Sequence, residues 1–74
     1  MPTSKSKELS SREKECLQLA ARGLASKHIA AELGIREATV AYHFGNATRK
    51  LGTANRIEAV TVALRHGLIR NDGT

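Results

Sequence analysis

The segment "SKHIAAELGIREATVAYHF", residues 26–44, constrains the fold more than any other part of the chain. Ile29, Ala30 and Leu33 fall on one face of a short helix. Val40, Phe44, Ala47 and Leu51 recur at i, i+4, i+7 and i+11 and mark one face of the next. Between them, Gly34 permits a sharp turn. Helix, short glycine turn, helix is the helix-turn-helix arrangement. Ala30 is small, as it must be where two helices cross closely, and Val40 closes the core between them. A helical hairpin in an unrelated bundle shares this spacing, so the pattern alone leaves that alternative open.

Two further helices flank this unit. Leu9 precedes "SSRE", in which Ser10 and Glu13 form a capping box that starts a helix running to about Arg22. Its apolar positions are Cys16, Leu17, Ala20 and Leu24, and Gly23 ends it. "NRIE" starts the last helix with a second box, Asn55 with Glu58. Ile57, Val60 and Leu64 are its expected core stripe, with Val62, Ala59 and His66 on the side away from the core. Gly67 terminates it, and Leu68 and Ile69 fold back as a plug. The expected fold is all-α, with four helices. Residues 1–8 read as a flexible basic arm, 9–70 as the domain and 71–74 as a flexible end.

Seventy-four residues, 41% hydrophobic and 26% charged, suit one small globular domain with a thin core. A domain this small is marginally stable and gains by pairing. The net charge of +5 favours an anionic partner: nucleic acid first, an acidic protein or membrane surface second. The lone Cys16 cannot form an internal disulfide and is expected to be a buried thiol. There is no long apolar run and no signal peptide, so the expected location is the cytoplasm.

The outward side of the third helix has an unusual composition: Ala38, Ala41, Tyr42, Gly45 and Arg49, where Glu, Lys and Gln usually fill a solvated face. A helix in the major groove needs a face that comes close to base edges. Small side chains allow that approach and meet thymine methyls. Tyr42 can pack on a base edge or donate to a phosphate. Asn46 can bond a base edge, the DNA backbone or the protein itself. Arg49 and Lys50 suit flanking phosphates, and Arg36 sits at the helix start, where backbone N–H groups also attract phosphate. A mid-helix Gly45 costs on the order of 1 kcal/mol against Ala, which close approach explains better than folding. The plainer reading makes Ala38 and Ala41 good helix formers and Tyr42 a cover for the core rim.

The runs "LSSREKECLQL", "GLASKHIAAELGI", "EATVAYHFGNATRKLG" and "NRIEAVTVALRHGLI" together resemble the LuxR/FixJ/GerE type of bacterial DNA-binding domain, from Leu9 to Ile69, with the third run most similar to its quorum-sensing branch. The resemblance implies a third helix that reads the major groove of double-stranded DNA. It also implies a fourth that pairs two domains on a two-fold-symmetric site. The expected DNA contacts are Arg36, Thr39, Ala41, Tyr42, His43, Gly45, Asn46, Arg49, Lys50 and Arg56. The expected interface of a weak homodimer is Ala59, Val62, Ala63 and His66. The chain departs from the family pattern at Ala41, often Lys, at Arg36, usually a Ser or Thr cap, and at Ala25 and His28, where the second helix's capping box is missing and Ser26 is the substitute cap.

Larger members of the family carry an upstream sensing domain, which 74 residues cannot also hold. Whether the chain is a whole regulator or a domain of one is left open. RNA polymerase or a related regulator is a further expected partner. One alternative is an adaptor or anti-activator that dimerises with related regulators without reading DNA. A region-four module of a sigma factor shares the "IAAELGI…ATV" logic but not the tail helix. An enzyme is not expected, and neither is a cofactor. His28, His43 and His66 fall on three different helices, and a zinc site needs closely paired ligands.

Overall fold

The computed structural model describes residues 8–70, and its four helices are α1 (Ser11–Ala21), α2 (Ser26–Leu33), α3 (Glu37–Leu51) and α4 (Arg56–Arg65). The expected arm and tail, 1–8 and 71–74, lie outside the described residues apart from Glu8. The first helix starts where Ser10 caps it. Glu13 N–H donates to Ser10 Oγ at 3.1 Å, and Ser10 N–H donates back to Glu13 Oε1 at 2.8 Å. Two orphan donors are thereby satisfied. At the start of α4, Glu58 N–H donates to Asn55 Oδ1 at 2.9 Å. The return bond, however, comes from Ala54 N–H to Glu58 Oε1, so this box is displaced by one residue from the expected one.

Gly34 makes the turn of the helix-turn-helix. It ends α2 in the left-handed region, φ 68° and ψ 36°, and the next amide, Ile35 N–H, closes back on Ala30 C=O at 3.0 Å. A side chain would be strained in that conformation. Ile35 is thereby returned to the core's edge.

The core is centred on Leu17, Ile29, Val40 and Cys16, all fully buried, with Phe44, Ala47 and Ile69 around them. Burial raises the Cys16 thiol above its ordinary value, which fits the inert packing thiol expected of it. α3 packs against each of the other three helices, so the scaffold holds it along its whole length. The C-terminal plug forms. Leu68 N–H reaches Ala63 C=O at 2.8 Å, and the Gln18 side-chain amide both donates to Arg70 C=O and accepts from Arg70 N–H, the latter at 2.9 Å.

α4 packs Val60 and Leu64 against the core as expected but departs from the expected stripe at Ile57. Ala59 and Ala63 are fully buried in the domain core, whereas Ile57 is 77% exposed. Val62 is half-buried beside them, and His66 is the exposed C-cap. Ala59 and Ala63 therefore cannot face outward as expected, whereas Val62 and His66 keep accessible surface. Alanines let α4 approach α1 and α3 closely, and the larger Ile57 is turned to solvent.

Candidate nucleic-acid interface

Val40, Phe44, Ala47 and Leu51 commit one side of α3 to the domain. At 3.6 residues per turn, the opposite side carries Ala38, Tyr42, Gly45 and Arg49. Ala38, Ala41 and Arg49 are exposed, and Tyr42 is 66% exposed. The Tyr42 ring meets the half-buried His43 edge-on, with centroids 5.7 Å apart and planes at 61°. This contact turns the phenol toward solvent with its ring supported on one side. Thr39, Gly45 and Asn46 are half-buried at the flanks.

A Cβ placed on Gly45 would meet nothing within 4 Å. Packing inside the domain therefore does not require glycine there. The Asn46 carboxamide oxygen accepts from the Arg49 guanidinium one turn along, so of the alternatives open to Asn46 the one made here is within the protein. The pair presents the remaining N–H groups of both side chains as one donor cluster.

At the start of α3, Arg36 occupies the N-cap with extended backbone and makes no side-chain cap. The α2 start is likewise bare. Ala25 is its N-cap, without a side-chain bond, and Ser26 does not substitute: its Oγ accepts instead from Arg56 at 2.8 Å. The first backbone N–H groups of α2 and α3 are thus left without a side-chain acceptor, a disposition that favours an external anion.

Two cations expected on phosphates also make contacts within the domain. Lys50 Nζ lies 2.9 and 3.2 Å from the two carboxylate oxygens of Glu13, which is itself 3% exposed. Burial alone would raise the Glu13 carboxyl; the Ser10 hydrogen bonds and the Lys50 ammonium outweigh it and hold the group below its ordinary value. The Arg56 guanidinium stacks 3.9 Å from the centroid of Phe44 while it bonds Ser26. Lys50 ties α3 to α1, and Arg56 ties α4 to α2 and α3. The Lys50 charge is paired, Arg56 keeps its charge while held in place, and the exposed cations of this face are Arg36 and Arg49.

The outward face of α4, from Arg56 on, and the end of α1 enclose a shallow, mostly apolar groove of about 290 Å³. It is lined by Ala20, Ala21, Leu24, Ile57, Val60 and Thr61 among others. The sequence reading missed this groove. Ile57, Val60 and Thr61 at i, i+3 and i+4 are its only signal, and that spacing also suits a core stripe. Among the described residues, no group of His, Cys, Asp and Glu could hold a metal ion. No described helix is long and apolar enough to cross a membrane.

The sequence model of the bacterial regulatory proteins, luxR family, matches residues 7–63. The chain belongs to this family. The LuxR-type domain is 44% identical over 61 residues to the transcriptional activator protein VanR of Vibrio anguillarum, covering 82% of this chain and 25% of that protein. It is 50% identical over 62 residues to the quorum sensing-dependent regulator RpaR of Rhodopseudomonas palustris, covering 84% of this chain and 26% of RpaR. The chain thus spans about a quarter of the length of these curated relatives. Among solved structures, the transcription factor GerE superposes with a TM-score of 0.82 at 39% identity, over 86% of this chain and 96% of GerE. The response regulator ChrA of a heme-sensing two-component system gives 0.80 at 45% identity, over 84% and 31%. The four-helix fold is that of a GerE-type helix-turn-helix DNA-binding domain, and the family is one of transcriptional regulators, not a class of enzymes.

Proposed function

We propose that this LuxR-type domain is a sequence-specific transcriptional regulator that binds an inverted repeat as a dimer, α3 lying in the major groove of each half-site. The observation that carries the reading is the outward face of α3. It combines small residues with one supported aromatic, a donor pair and a glycine that the fold does not require. Ala38, Ala41 and Gly45 allow close approach and apolar contact with thymine methyls, Tyr42 and Asn46 read the groove, and Arg36, Thr39 and Arg49 hold phosphates. His43 supports Tyr42 from behind. Lys50 and Arg56 act by fixing the orientation of α3.

Pairing runs through α4, by the face where Ile57 and Thr61 are exposed over the half-buried Val60, and it is weak without DNA. Two such domains place their recognition helices about one helical turn, roughly 34–36 Å, apart on DNA. Bound there, in the cytoplasm, the dimer recruits or obstructs RNA polymerase. The adaptor reading keeps one point in its favour, the Ala41 that removes a cation from the groove face.

Selection of bound sequences from a random duplex pool, at near-physiological salt, tests the proposal. An enriched inverted repeat is expected. A lone half-site would overturn intrinsic pairing, and no enrichment at all would move the adaptor reading to the front.

A further inference from the structure

A second groove, of about 280 Å³, runs between α1 and α2 and takes no lining from α3 or α4. Its floor is apolar, Leu19 and Leu33, and its rim is acidic, Glu15 and Glu32, with Gln18 at one side. Both glutamates are exposed. Glu15 is bridged by Arg12 at 2.9 Å, but both side chains of that pair are about half exposed, so the bond is weak and readily exchanged. Glu32 has no ion-pair partner among the described residues. Gln18 is fixed by its two bonds to the Arg70 backbone, which hold that wall of the groove in place.

An acidic rim is out of character in a chain of net charge +5. It repels phosphate, so this surface is not part of a nucleic-acid footprint. It also repels nothing that carries Lys or Arg, and a floor of two leucines takes an apolar side chain. We propose that this groove docks a basic amphipathic segment of a partner protein, one apolar side chain seated on Leu19 and Leu33 and flanking Lys or Arg side chains on Glu15 and Glu32. The commitment to a basic occupant rests on charge complementarity, and the commitment to an apolar anchor rests on the floor. A protein seated beside this domain on the same DNA is the natural bearer of such a segment, because it must itself be basic. The groove's chemistry, however, is independent of the DNA reading.

The test is a titration of the 15N-labelled chain, without DNA, with a synthetic helical peptide that carries Leu on one face and Arg beside it. Saturable amide shifts are expected at Glu15, Gln18, Leu19, Glu32 and Leu33. The double variant E15Q/E32Q should bind the peptide at least fivefold more weakly, and peptides with Glu for Arg, or Ser for Leu, should give no saturable shifts. Both substitutions are at exposed positions, so the fold and the affinity for a selected DNA site should be unchanged. Shifts spread over the surface without saturation, binding that is indifferent to E15Q/E32Q, or concentration-dependent self-association at these same amides would each overturn the proposal. None of those outcomes touches the DNA-reading proposal, which the duplex selection tests separately.

Discussion

Lys50, in the last turn of α3, closes an ion pair with Glu13, in the first turn of α1, 37 residues earlier in the chain. The carboxylate is almost wholly buried and also serves as the helix cap, so one side chain fixes both the start of α1 and the end of α3. On the proposed reading, a cation held this way acts on DNA binding by orienting α3 and not by counterion release. Lys50→Met should therefore cost about 1–3 kcal/mol of stability, because it leaves a buried acceptor without its charged donor. At temperatures where the variant is folded, the slope of log K against log salt should stay as in the parent chain. Arg49→Ala should instead flatten that slope by about one unit, while sparing stability. A slope that falls with Lys50→Met would return Lys50 to the phosphates.

The same pair sets an acid limit on the fold. The Glu13 carboxyl lies below its ordinary value in the folded chain, because the Ser10 and Lys50 bonds overcome the cost of burial. A lowered carboxyl contributes stability that is fully present above its unfolded value, about 4.3, and is lost as pH falls through the folded one. Thermal unfolding followed by circular dichroism should show the melting temperature falling as pH drops below the ordinary glutamate range. In Glu13→Gln the midpoint should be lower at neutral pH, and that part of the acid dependence should vanish. An acid profile indifferent to this substitution would place the titrating group elsewhere.

Gly45 separates the demands of folding from those of binding. It lies inside a 15-residue helix, and open space surrounds the position a Cβ would take. Gly45→Ala should stabilise the domain by about 1 kcal/mol, which for a domain of this size raises the melting temperature by about 4–8 °C. The methyl would stand on the face that approaches the bases, so affinity for the selected site should fall about tenfold, with a smaller loss on random duplex. A variant that gains stability and keeps full affinity would remove Gly45 from the contact surface.

The helix order, the turn at Gly34 and the outward face of α3 were legible because local chemistry writes them. Ser10 and Asn55 mark helix starts, Gly34 needs a positive φ, and a face of Ala, Tyr, Gly and Arg contradicts ordinary solvation. The core face of α4 was legible only in part. Val60 and Leu64 pack against the core as their spacing suggests, but Ala59 and Ala63 take its centre and Ile57 does not enter, where side-chain size alone favours Ile57. Close crossing reverses the preference, and no local pattern reports how closely two helices will cross. The commitments of Lys50 and Arg56 were hidden for a different reason: their partners, Glu13, Ser26 and Phe44, lie far off in the chain. One signal did exist. Glu13 precedes Cys16 and Leu17 by three and four residues, which puts a carboxylate on the buried stripe of α1, and a buried carboxylate requires a cation.

Ile57 is the residue on which the pairing proposal depends. It is 77% exposed, it borders the apolar groove between α4 and the end of α1, and nothing inside the domain accounts for a large aliphatic side chain there. Ile57→Glu should leave stability within about 0.5 kcal/mol, as an exposed substitution does. It should abolish cooperative binding to paired half-sites and spare a single half-site, because like charges would face each other across a two-fold axis. Val62→Glu offers the contrast. Val62 is half-buried and does not belong to the packed core, so a carboxylate there should leave the domain folded and, with pairing centred on Ile57, should spare cooperativity. Gel-shift titrations of single and paired half-sites, read beside thermal melts, separate the two patterns. If Ile57→Glu leaves cooperativity intact while Val62→Glu removes it from a folded domain, the interface lies on the other side of α4.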